Sequence, residues 1–299
     1  MISNLKKKIE LSNLLEKIET DFESKEIVAK LDKLHGQSKA HVIGITGSPG
    51  VGKSSLINKL VSFIRSKKKS VGIIAIDPSS ERSGGALLGD RTRLMLNPMD
   101  NDVFVRSMAS KNFLGGISEL TYPSMIVMRS IFDFLIIETV GVGQSEIFIK
   151  NLSDTVVLGI QPGSGDTLQF MKSGIFEIPD IIVVTKSDIK NLSEITYSDL
   201  CGSKSYFQSQ SDWDISVIKT SSSQNFGFKE LYENLLLRWK WLNHKERLIN
   251  LRNQQDLAWI QSRILKDFGD KGLEKIKKKF LYTKSPFSKL VELKKKISF

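Results

Sequence analysis

Apolar and polar positions along the chain follow two different periods. Over residues 1–35 apolar side chains recur every three or four positions: Ile9, Leu11, Leu14, Leu15 and Ile18, then Ile27, Val28, Leu31 and Leu34. That spacing lays them along one face and predicts two amphipathic helices, ending at the break His35-Gly36-Gln37-Ser38. From residue 41 short apolar runs take over, at 41–46, 71–76, 102–106, 134–138, 155–160, 181–185 and 216–220, each closing in polar or glycine-rich sequence. Continuous apolar runs alternating with helical stretches predict parallel strands covered on both faces, an α/β fold. From about Phe228 the helical period returns through Leu231, Leu235, Trp239 and Leu242, then Leu248, Leu251, Leu257, Ile260 and Ile264. The expected organisation is a helical extension over 1–38, an α/β domain over 39–228, and a C-terminal helical extension over 229–299. This last part is either an oligomerisation arm or a set of helices packed on the core. Trp241 and Trp259 read as packing residues.

Composition narrows the classes. Hydrophobic residues make up 40% and charged residues 26% of 299, the balance of a soluble globular protein. No apolar run is long enough to span a bilayer, and Glu10, Glu16 and Glu19 interrupt the apolar N-terminal positions, so neither a membrane span nor a secretory leader is expected. One cysteine, Cys201, excludes an internal disulfide, and three histidines argue against metal storage or delivery. The expected compartment is the cytoplasm. The net charge of +11 raises nucleic-acid binding. The lysines, however, fall in short scattered runs with no aromatic RNA-binding signature between them, which fits solvated helix faces better.

Chemistry enters at residues 47–54. Gly47-Ser48-Pro49-Gly50-Val51-Gly52-Lys53-Ser54 fits G-x-x-x-x-G-K-[ST], between a predicted strand and a helix expected over 55–66 that opens at Ser55. Backbone N–H groups of such a loop, with the positive end of the following helix, cradle phosphates. Lys53 is expected on the β- and γ-phosphates and the Ser54 hydroxyl on Mg²⁺. Glu138 ends an apolar run three residues before Gly141, where a metal-directed acid and a γ-phosphate-sensing N–H belong. Asp77 closes another strand, and Asp90 sits in glycine-rich sequence; both are candidates for the same metal, although turn initiation and loop capping explain them as well. Thr185-Lys186-Ser187-Asp188 resembles the N-K-x-D guanine motif with Thr for Asn. Asp188 would accept from the ring N–H and exocyclic amine of guanine, donors that adenine lacks there. Lys186 would lie along the base plane, and Ser221, Ser222 and Ser223 fit the last base-contact loop. Each of these motifs follows a strand, so they should converge at one edge of the sheet.

Taken together, the P-loop, Asp77-Pro78-Ser79-Ser80, the stretch from Gly84 to Arg93, Glu138-Thr139-Val140-Gly141-Val142-Gly143-Gln144-Ser145-Glu146 and the stretch from Pro162 to Gln169 resemble the ArgK/MeaB GTPases over about residues 40–260. The resemblance implies a P-loop NTPase with a mostly parallel sheet, and a GTPase that gates cofactor loading and protection of a cobalamin-dependent acyl-CoA mutase of the methylmalonyl-CoA mutase type. It carries nucleotide-site roles onto Lys53, Ser54, Asp77, Asp90 and Glu138, and a partner-signalling switch onto 163–174. It also implies a homodimer, formed in the family through a C-terminal arm that is shorter here after about Phe280. Lys111-Asn112 stands where the family has Arg-Gly. Older names tie the family to a kinase of an arginine/ornithine transport system. Gln144 is out of register for a water-orienting glutamine, and Arg91 and Arg93 have no support as an arginine finger, which predicts slow intrinsic turnover. Competing readings are a nucleotide-dependent binding module for another partner, a nickel-enzyme maturation GTPase, which lacks its His-rich tract here, and a nucleic-acid-binding GTPase.

Overall fold

The computed structural model describes residues 2–78, 94, 96–97, 99–110, 120–139, 148–163, 178–204, 212–276 and 283–298. Its elements in chain order are α1 (Ile2–Thr20), α2 (Lys25–His35), β1 (His41–Thr46), α3 (Lys53–Ser66), β2 (Val71–Pro78), β3 (Val103–Ser110), α4 (Thr121–Ile131), β4 (Phe134–Glu138), a 3₁₀ turn (Ile149–Asn151), β5 (Thr155–Ile160), β6 (Ile181–Val184), α5 (Lys190–Gly202), β7 (Ser216–Lys219), α6 (Phe228–Leu242), α7 (Arg247–Ile276) and α8 (Pro286–Ser298). The seven strands form one sheet in the order β3-β2-β4-β1-β5-β6-β7, and every neighbouring pair runs parallel. Parallel strands need crossover helices, which cover both faces. All positions of β1 and β5 are accordingly buried.

Alternate side chains of the strands serve opposite layers. Ile43, Ile45, Ile73, Ala75, Ile136 and Val157 pack with α3 and α6 through Leu56, Leu60, Ile64, Leu231 and Leu235. Val42, Ile74, Ile76, Leu135 and Ile137 face the other way, into a layer built from α1, α2, α4, α7 and α8. There Leu15, Ile18, Leu31, Trp259, Ile264, Phe287, Leu290 and Leu293 share one buried cluster. The C-terminal helices pack on the core, against the N-terminal helices. Asp32 of α2 accepts from the backbone N–H of Phe287 at 3.1 Å and of Ser288 at 3.0 Å. It therefore caps the first turn of α8 from another helix. α7 breaks at Gly269, whose φ of 64° is not helical.

At the amino edge of the sheet a buried ionic clamp ties α7 to β1. Asp154 accepts from Val42 N at 2.8 Å and from Arg252 Nε and Nη2 at 2.9 and 2.7 Å. Burial pushes its carboxyl up, but the Arg252 charge and hydrogen bonds outweigh that and hold it below the ordinary value. Beside it His41 stacks on Trp239, with ring centroids 4.7 Å apart, and its Nε2 lies 2.7 Å from Thr155 Oγ1. Full burial pushes the His41 imidazole down to about 3, with Asp154 opposing and Arg252 and Arg238 reinforcing the shift. Among the described residues no helix is long and apolar enough to cross a membrane.

Candidate nucleotide site

The loop between β1 and α3 is shaped by its glycines. Gly47 has φ of 141°, and a Cβ there would stand 2.4 Å from the Gly159 carbonyl oxygen, so only glycine lets the loop leave β1 so close to β5. Gly52, with φ of 99°, opens α3 from the left-handed region. α3 begins at Lys53, two residues earlier than the pattern predicts, because the last residues of the motif already wind into its first turn. Lys53 is buried, and its ammonium donates to the carbonyls of Gly47 at 2.7 Å and Ser48 at 3.1 Å. The cation thus sits inside the curve of the loop.

β4 lies beside β1, with Glu138 paired to Ile45, so the carboxylate emerges next to the first turn of α3. There the Ser54 hydroxyl donates to Glu138 Oε1 at 2.9 Å. Thr139 seals the same corner, its N–H bonding Ile45 O at 3.2 Å and its hydroxyl bonding Thr46 Oγ1 at 3.0 Å. β2 flanks β4 on the other side and runs to Pro78, two residues beyond the predicted end, because Asp77 and Pro78 still pair with Ala109 and Ser110 of β3. The backbone of Asp77 is thereby at the same carboxyl edge. The Asp77 side chain, Asp90, Gly141 and most of the 163–174 segment lie outside the described residues. Among the described residues no group of three or more His, Cys, Asp or Glu is placed to hold a metal. The oxygen donors present, a serine hydroxyl and a carboxylate within one hydrogen bond of each other, suit a hard cation such as Mg²⁺.

On the other side of β1 the loop after β6 reaches the P-loop directly. The Thr185 hydroxyl is buried and donates to Val51 O at 2.7 Å, with Ile160 O at 3.2 Å. Threonine at this position therefore anchors the phosphate loop, a role invisible in the motif itself. Lys186 Nζ donates to Gly50 O and to Gln161 Oε1, both at 2.8 Å. Gln161, just past β5, is the site neighbour that the motifs missed; the only sequence signal is a polar side chain directly after an apolar strand run. Asp188 is half-buried and accepts from the Ser221 hydroxyl at 2.6 Å; the Ser221 and Ser223 hydroxyl oxygens are 2.9 Å apart. The Ser221 hydrogen bond, then a backbone N–H and Ser223, hold the Asp188 carboxyl below its ordinary value, so it stays ionised as an acceptor. Residues 221–226 close into a turn pinned by the Ser221–Phe226 bridge. That turn fits because Gly227, with φ of 85°, has no Cβ to strike Lys219 O, which would lie at 2.0 Å.

A central P-loop followed by α3, an acid on the adjacent strand, and an ionised aspartate beside a serine turn on the far strands define a P-loop GTPase. The chain belongs to the MeaB family: the model for methylmalonyl Co-A mutase-associated GTPase MeaB matches residues 10–276. A relative from Pyrococcus abyssi, whose name carries the word GTPase, is 39% identical over 249 residues, 82% of this chain and 76% of its own. The mouse protein called methylmalonic aciduria type A homolog, mitochondrial, is 32% identical over 234 residues, 76% of this chain and 56% of its own. The crystal structure of a LAO/AO transport system kinase shares the fold, with a TM-score of 0.66 at 21% identity over 96% of this chain and 93% of that one.

Proposed function

We propose that the protein binds GTP with Mg²⁺ at this edge, hydrolyses it slowly, and uses the nucleotide state to gate cofactor loading and protection of a cobalamin-dependent acyl-CoA mutase of the methylmalonyl-CoA mutase type. The observation that carries the nucleotide part is the junction of three loops on one P-loop: Lys53 within it, Glu138 bonded to Ser54 beside it, and the Thr185–Asp188 loop bonded to Val51 and Gly50. Water attacks the γ-phosphorus in line, the bond to the β–γ bridging oxygen breaks, and GDP and phosphate leave. Lys53 neutralises charge on the phosphate oxygens. Ser54 and Glu138, with Asp77 and Asp90, would hold Mg²⁺, which supplies further charge neutralisation when bound. Asp188 selects guanine, and Gly141 and Ser221–Ser223 contribute backbone N–H groups.

Family membership supports the mutase as partner. Binding of a purified mutase in the presence of GDP and of a non-hydrolysable GTP analogue tests the switch: a ligand shifts a conformational equilibrium only through different affinities for its states, so equal mutase affinities would remove it. A homodimer belongs to the same proposal. Leu236 and Leu237 of α6 and Ile249 and Leu265 of α7 are exposed apolar side chains suited to a subunit contact, and sedimentation equilibrium tests it.

A further inference from the structure

Lys186 is a long side chain in an unusual backbone setting. Its φ of 50° lies in the left-handed region that non-glycine residues rarely adopt. Its stem runs from the loop after β6 back to the phosphate loop. A lysine ammonium is a compact charge on a flexible stem and samples many directions unless its donors are held. Here two acceptors hold it, the Gly50 carbonyl and Gln161 Oε1, each at 2.8 Å. The first belongs to the loop that cradles phosphate. The second comes from the end of β5, which is part of neither the phosphate motif nor the base motif.

We propose that Gln161 is a positioning residue for guanine nucleotides. It fixes the Lys186 ammonium so that the stem is already aligned where the base packs. A stem ordered in advance loses less freedom when the nucleotide arrives, and that saving appears as affinity. The inference rests on the guanine reading of the Asp188 loop. The backbone just after Gln161 also passes close to the helix that follows that loop. A Cβ on Gly163 would meet Leu192 Cδ1 at 3.2 Å, so the backbone two residues past Gln161 is seated against α5, which follows Asp188.

A purely architectural tie between two loops would not act through Lys186, and a double-mutant cycle separates the two roles. The experiment is equilibrium binding of fluorescent GDP and of a fluorescent non-hydrolysable GTP analogue to the full chain. The variants are Gln161→Leu, Gln161→Asn, Gln161→Glu, Lys186→Met and the double variant Gln161→Leu with Lys186→Met. Gln161→Leu is expected to weaken both nucleotides by the same factor, about two- to twelvefold, the ordering cost of one rotamer-rich side chain. Gln161→Asn, too short to reach, should match it, and serves if the apolar change impairs folding. Gln161→Glu keeps an acceptor and should stay within about threefold of the parent. The double variant should bind no more weakly than Lys186→Met. A loss below about twofold in both Gln161→Leu and Gln161→Asn, or losses that add fully to that of Lys186→Met, would overturn the proposal. Asp188→Asn, assayed with guanine and xanthine nucleotides, tests the underlying reading by itself: an unchanged preference for guanine sinks that reading whatever Gln161 does.

Discussion

The Ser54 hydroxyl donates to Glu138 Oε1 at 2.9 Å, joining the first turn of α3 to the end of β4 over 84 residues of chain. The bond places one hydroxyl and one carboxylate at the mouth of the loop that surrounds Lys53. Lys53→Ala removes the cation from that loop. Phosphate release from GTP is expected to fall by about a hundredfold or more, the scale of losing one preorganised charge at a developing oxyanion. Turnover equal to the parent's would refute the role of Lys53.

Asp188 is ionised and presented by Ser221. Asp188→Asn replaces an acceptor by an amide that can donate to the carbonyl xanthine carries in place of the guanine amine. Affinity for GTP should drop by on the order of a thousandfold or more, while affinity for XTP rises. Direct titration of the parent and the variant with a fluorescent guanine nucleotide and with a fluorescent xanthine nucleotide measures the two changes.

Thr185→Val keeps the shape of the side chain and deletes its hydroxyl. The Val51 carbonyl loses a buried donor, which is expected to cost about 1–3 kcal/mol in urea unfolding. Because the anchor is on the phosphate loop, GDP affinity should fall as well. Lost stability with unchanged GDP affinity would show that the anchor serves folding alone.

The strands were legible because burial on both faces leaves almost no polar residue inside a parallel strand; Phe134–Glu138 and Thr155–Ile160 read directly as apolar runs. β2 and β3 run further than their apolar runs because Asp77-Pro78 and Ser107–Ser110 pair through backbone groups, which sequence hydropathy does not report. The residue types at Lys53, Ser54, Glu138 and Asp188 marked them as site candidates. The Thr185–Val51 and Lys186–Gln161 contacts did not, since they join residues 134 and 25 positions apart with no pattern linking them. Periodicity likewise showed that the C-terminal helices have an apolar face, but not that α1 and α2 cover it.

His41 is neutral in the fold, at about 3, whereas the unfolded imidazole titrates near 6.5. Between those values the unfolded chain binds a proton that the folded chain refuses. Its contribution is therefore fully present above 6.5 and is lost as pH falls, by about 1.4 kcal/mol per unit. Asp154, held below its ordinary carboxylate value, acts in the same direction at lower pH. His41→Gln should flatten the fall in stability between pH 6.5 and pH 4.5, about two units of that slope, as read by urea unfolding. A parallel slope in the variant would show that other groups carry the acid sensitivity.

Asp32→Ala leaves the first N–H groups of α8 without their carboxylate. A loss of about 0.5–2 kcal/mol is expected, with faster amide exchange confined to α8 and its neighbours α2 and α7. Protection unchanged in α8 would show that its apolar face alone holds it.

That cap also orders events in time. Asp32 and Phe287 are 255 residues apart in the chain. A ribosome adding about 5–20 residues per second delivers Phe287 roughly 13–50 seconds after Asp32. Until then Leu15, Ile18, Ile27 and Leu31 lack the Phe287, Leu290 and Leu293 side chains with which they finally pack. The sheet and its phosphate loop can assemble while the chain is still being made; the helical layer behind them closes only when α8 arrives.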